Sequence, residues 1–100
     1  MENKMILDDI QNIIAERRRS PSDHSYVSHL FAKGRDEILK KIGEESTEVI
    51  MASKDGDRVR LIHEIADLWF HCMVLMKEQE ITYQDIFAEL EHRYEQGSST

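Results

Sequence analysis

One hundred residues suffice for one ordinary domain with one core, because domains cluster near roughly 100–150 residues, and they leave no room for a second catalytic domain. A formal net charge of −7 excludes general nucleic-acid binding, which needs clustered Lys and Arg against a phosphate backbone. No apolar run approaches the ~20 residues of a membrane span, and the lone Cys72 excludes an intramolecular disulfide.

The chain is expected to be all-α: one proline and four glycines punctuate it, and apolar residues recur at helical spacing almost throughout. Met5, Ile6, Ile10, Ile13 and Ile14 form one stripe of a first helix, which Pro21 ends because it cannot continue the hydrogen-bond ladder. The three arginines Arg17 to Arg19 read as a solvated helix end favourable to the dipole. A short helix, "SYVSHLFAK", stops at Gly34, expected to be a left-handed cap. A third helix runs from about Asp36 to Lys54, the Asp55-Gly56 turn follows, and a fourth covers about Asp57 to Gln79. Thr82 and Asp85 form a capping pair that opens a last helix through "YQDIFAELEHRYEQ". Residues 1–96 are thus one domain, an antiparallel bundle of four to five helices, and 97–100 a disordered tail. Cys72, set in "FHCMVLM", reads as a buried small hydrophobe, and "MENKMILDDIQ" carries acids where a secretory signal would be apolar. The expected compartment is the cytoplasm.

The chemistry lies in the two middle helices. On a wheel at about 100° per residue with Ile38 at zero, Ile42, Val49 and Ala52 fall within about 40° and define the core stripe. Glu45 falls at about −20°, inside that stripe, Glu48 near −80° on its flank and Glu44 near −120° beyond it. A lone inward carboxylate costs several kcal/mol unless it is paired or bound to a metal. On the fourth helix, Val59, Ile62, Ala66, Trp69 and Met73 form one apolar face, and Leu61, Ile65, Leu68, Cys72 and Leu75 a second. Glu64, Asp67 and His71 lie between them as a narrow polar seam. Antiparallel packing across the short turn brings Glu45, Glu48, Glu64 and Asp67 together, which mutual repulsion forbids without cations. Hard oxygen ligands select Mg²⁺ or Mn²⁺ over Zn²⁺. Lys33, Arg35, Lys40 and Lys41 flank the cluster and are candidates to grip phosphates held by the metal.

Other motifs fail: the E-x-x-H at Glu89 to His92 has no mate for a di-iron bundle, "SKDGDR" is too short of acids for an EF-hand, and there is no P-loop.

The "EESTE" of Glu44, Glu45 and Glu48, followed by "EIAD" with Glu64 and Asp67, resembles the EExxE…ExxD signature of the all-α, MazG-like nucleotide pyrophosphohydrolases. Within that superfamily the wider pattern resembles the phosphoribosyl-ATP pyrophosphohydrolase family. The matching positions are Ser25, Tyr26, Leu30, Lys33, Gly34, Ile38, Lys41, Gly43, Glu44 and Glu45, then Asp67, Leu68 and His71. The resemblance implies hydrolysis of phosphoribosyl-ATP to phosphoribosyl-AMP and pyrophosphate, the second step of histidine biosynthesis. It implies Mg²⁺ held by Glu45, Glu48, Glu64 and Asp67, water handled by Glu44 or Glu48, and Tyr26 and His71 supporting the ligands. It also implies a homodimer, for which the two-sided apolar helix containing Trp69 offers an interface. The rival enzyme reading is a housecleaning nucleoside triphosphate pyrophosphohydrolase. A third is a noncatalytic helical dimerisation module whose acids are merely solvated.

Overall fold

The computed structural model describes residues 6 to 95, and all its regular elements are α-helices: α1 (Ile6–Arg19), α2 (Tyr26–Lys33), α3 (Arg35–Lys54), α4 (Arg58–Glu78) and α5 (Tyr83–Glu95). No strand occurs among the described residues, as the helical periodicity implies. Met5 and the expected tail at 97–100 lie outside them. No described helix is long and apolar enough to cross a membrane.

Local chemistry sets the helix boundaries. The Ser25 hydroxyl caps α2 by accepting from Ser28 N (3.1 Å), and the Asp57 carboxylate caps α4 by accepting from Arg60 N (3.0 Å). At α5 the capping pair is reciprocal: Thr82 N donates to Asp85 Oδ2 (2.9 Å), and Asp85 N donates to Thr82 Oγ1 (3.2 Å). Gly34 alone joins α2 to α3, at φ 100° and ψ 179°. This is not the left-handed helical cap expected from the sequence; it is an extended, positive-φ conformation essentially reserved for glycine. A single such residue ends one helix, its N–H bonding Leu30 O (3.1 Å), and starts the next.

The longest interface joins α3 and α4, which run antiparallel from the turn at 55–57; Arg60 near the turn meets Glu48, and Arg35 at the far end meets Glu78. The core gathers at that far end, where Ile14, Val27, Leu30, Ile38, Met73 and Val74 of α1 to α4 pack together. Its stabilisation is mainly hydrophobic, about 1.5–3 kcal/mol for each fully buried aliphatic side chain. Ile38 and Ala52 are fully buried, in line with the expected stripe of α3. In α1 only Ile14 is buried, whereas Ile6 and Ile13 are exposed. The five-residue stripe is too broad, because α1 docks along a narrow line on α2 and α4. Cys72 is also less enclosed than its apolar setting suggests, being half-buried, and that burial pushes its thiol pKa up. Arg18 fastens the C-terminus of α4 by donating to Lys77 O (2.6 Å) and to Glu80 (2.9 Å) while lying over the Phe31 ring. That arginine is therefore a structural tie as well as a helix-end charge.

Candidate active site between the third and fourth helices

The seam between α3 and α4 changes character along its length. Toward the far end it is core; toward the turn it fills with charge, and between Arg58 and Asp67 no residue of α4 is buried. Glu45 enters from α3 and meets Glu64 and Asp67 of α4. Burial raises the Glu45 pKa, the charges of Asp67 and Glu64 raise it further, and His71 opposes them. The Glu64 side chain is 13 % exposed, so two carboxylates share a poorly hydrated space.

Beneath them lies His71, 5 % exposed. Its Nδ1 is 2.8 Å from the Asp67 carbonyl oxygen, and its Nε2 is 2.7 Å from the Tyr26 hydroxyl. A carbonyl only accepts, so Nδ1 carries the hydrogen, and in the neutral ring Nε2 accepts from Tyr26. Burial raises the Tyr26 pKa, with Lys41 opposing and Glu45, Glu37 and Asp67 adding to it, which keeps the hydroxyl a donor. The pair braces α2 against α4 directly below the acids, as a hydrogen-bonded buried histidine does.

Glu48 reaches the cluster through a residue that the sequence reading passed over. The Arg60 guanidinium bonds Glu48 (3.0 Å) and Asp55 (3.1 Å) and lies 3.7 Å from Glu64. The signal was present: on the wheel centred on Ile62, Arg60 falls at about 160°, inside the seam of Glu64, Asp67 and His71. His63 was also missed; its Nε2 is 3.3 Å from Asp67 Oδ2, and ligand atoms of His63, Glu64 and Asp67 all lie within 4.8 Å of one another.

The remaining candidates separate. Glu44 lies on the exposed flank, 3.5 Å from Lys41 Nζ, in keeping with its wheel position. Lys41 therefore stands at the rim of the cluster, close to Tyr26. Arg35 does not join it: both arms of its guanidinium bond Glu78 (2.8 and 3.2 Å), and it lies ten residues before Glu45, about 15 Å along the helix. Lys33 and Lys40 are exposed and form no ion pair among the described residues.

Glu45, Glu64 and Asp67 offer only oxygen donors, repel one another and are partly desolvated, a set whose chemistry fits a hard divalent cation. Glu48, the fourth carboxylate expected there, is instead held by Arg60.

The chain is similar to known proteins along most of its length. The family model described as "Phosphoribosyl-ATP pyrophosphohydrolase" matches residues 7–94. A phosphoribosyl-ATP pyrophosphatase of Vesicomyosocius okutanii is 52 % identical over 89 residues, covering 89 % of this chain and 85 % of the relative. One from Clostridium botulinum is 50 % identical over 95 residues, covering 95 % and 86 %, and one from Bacillus thuringiensis is 50 % identical over 93 residues, covering 93 % and 85 %. A family match along nearly the whole domain, with relatives about half identical, makes this chain a member of the phosphoribosyl-ATP pyrophosphohydrolase family.

Proposed function

We propose that the chain hydrolyses phosphoribosyl-ATP to phosphoribosyl-AMP and pyrophosphate, in histidine biosynthesis, at the acid seam between α3 and α4. The observation that carries the reading is the meeting of Glu45 with Glu64 and Asp67 in a chain about half identical to relatives named for this activity. A bound Mg²⁺, or Mn²⁺ in its place, supplies charge neutralisation on the phosphate oxygens and a more acidic water. Glu45, Glu48, Glu64 and Asp67 are the residues that would hold it. Glu48, flanking the seam, is better placed than Glu44 to orient the attacking water, since Glu44 is turned toward Lys41. Lys41 is the basic residue best placed to meet a substrate phosphate. Tyr26 and His71 hold the floor of the site, so that the carboxylates act from a fixed frame.

The test is to supply purified protein and Mg²⁺ with phosphoribosyl-ATP and, separately, with a panel of nucleoside triphosphates, measuring pyrophosphate. Release from phosphoribosyl-ATP alone is expected. Turnover only of plain triphosphates would establish the housecleaning reading, and no turnover of either, with no effect of Glu45→Ala on the Mg²⁺ response, the noncatalytic one.

The working unit is proposed to be a homodimer in the cytoplasm. Val59, Ile62 and Trp69 are 79 %, 58 % and 60 % exposed on the outer face of α4, and α5 has no buried residue while presenting Ile86, Phe87 and Leu90. A continuous apolar face of this kind is what a second copy covers. Sedimentation of the wild type against Trp69→Lys reads it directly, a dimer giving way to a monomer.

A further inference from the structure

Arg60 is the cation set among the acids. Its side chain is two-thirds buried, its Nη2 bonds Glu48, its Nη1 bonds Asp55, and its Nε faces Glu64 at 3.7 Å. Its backbone is fixed as well, because Arg60 N donates to the Asp57 cap. The planar fork of a guanidinium, with donors pointing in three directions, is the group suited to bridging carboxylates that diverge like these. Two of the three, Glu48 and Glu64, belong to the set assigned to the divalent cation, whereas Asp55 sits outside it on the turn.

We propose that Arg60 is an internal counter-cation, a positioning residue that holds Glu48 and Glu64 in the metal-free protein and opposes metal entry. On loading, the guanidinium leaves those two carboxylates and keeps Asp55, so that the side chain swings from the seam to the turn. The inference rests on the reading of the seam as a metal site. Its physical basis is repulsion between like charges: a monovalent group that satisfies two ligand carboxylates competes with any divalent ion for them, and more so where one carboxylate is poorly hydrated. The same contacts favour folding before any metal binds, because they offset the repulsion among the clustered acids.

Mn²⁺ binding to the full chain, followed by electron paramagnetic resonance or calorimetry without substrate, tests this. Arg60→Gln is expected to bind Mn²⁺ about three- to tenfold tighter than wild type, a size in line with the loss of partly exposed ion pairs. Its metal-free melting temperature is expected to fall. Arg58→Gln makes the same change of net charge two residues away, at an exposed side chain with no ion pair among the described residues, and should shift the affinity less than twofold. Arg60→Lys, which keeps the charge without the fork and serves if the glutamine variant fails to fold, should fall between wild type and Arg60→Gln. Equal affinity of wild type and both Arg60 variants, or an equal gain in Arg58→Gln, would overturn the proposal while leaving the metal site intact. A wild type that binds no Mn²⁺ overturns both.

Discussion

The two ends of the α3–α4 hairpin are built from the same helices and do opposite things. At the far end Ile38, Met73 and Val74 pack with α1 and α2 into a core. At the turn end Ala52 is buried, but Glu45, Glu64 and Asp67 bring charge into the seam and stay only partly enclosed. The far end supplies packing stability and the turn end carries electrostatic repulsion, so a core variant should lower stability and spare turnover, whereas an acid variant should lower turnover without unfolding the protein.

The largest effect on stability is expected at the far end. Ile38→Ala should cost about 2–5 kcal/mol, read as a lower midpoint in urea unfolding, with turnover per folded molecule unchanged. The mirror experiment at the turn end is Asp67→Ala. Pyrophosphate release should fall about a hundredfold or more, while the metal-free melting temperature holds or rises because a repelling charge is gone. A core variant that abolishes turnover while folded, or an acid variant that unfolds the protein, would break the division. Ser25→Ala removes the cap of α2, next to Tyr26, and should cost about 1 kcal/mol with only a minor effect on rate.

The smallest effect is also the sharpest. Because the Glu45 pKa is raised in the folded protein, the folded state binds this proton more tightly than the unfolded chain. Its contribution to stability is fully present at acid pH. It is lost as pH rises from the ordinary glutamate value of about 4.3 through the raised folded value. Without metal, wild type should therefore lose stability relative to Glu45→Gln across that window, measured as the difference between their melting temperatures at each pH. Added Mg²⁺ should shrink the difference above it.

Much of this was legible in the sequence. Helical period, the Thr82–Asp85 cap and the turn at Asp55-Gly56 are local signals, and each lies within a turn or two of the structure it specifies. The inward angle of Glu45 and the seam of Glu64, Asp67 and His71 were legible for the same reason. What escaped depends on which neighbour arrives. A wheel places Ile13 beside Ile14, but only tertiary docking decides that Ile14 alone is covered. Arg60 shares the seam's angle, yet a long flexible cation reads as solvated until the carboxylates it reaches are seen around it. Arg35 failed the other way, near in sequence and committed to Glu78.

Gly34 carries a consequence for how this chain can change. A Cβ added there would meet nothing within 4 Å, so the obstacle to a side chain is the φ of 100° itself. Strain of that origin has no partner to adjust. A damaging Gly34→Ala should therefore resist suppression by any second substitution in the surrounding side chains. Revertants should instead restore glycine or alter the length of the joint between α2 and α3. In a genetic screen the position would behave as an isolated constraint, uncoupled from the packing on either side of it.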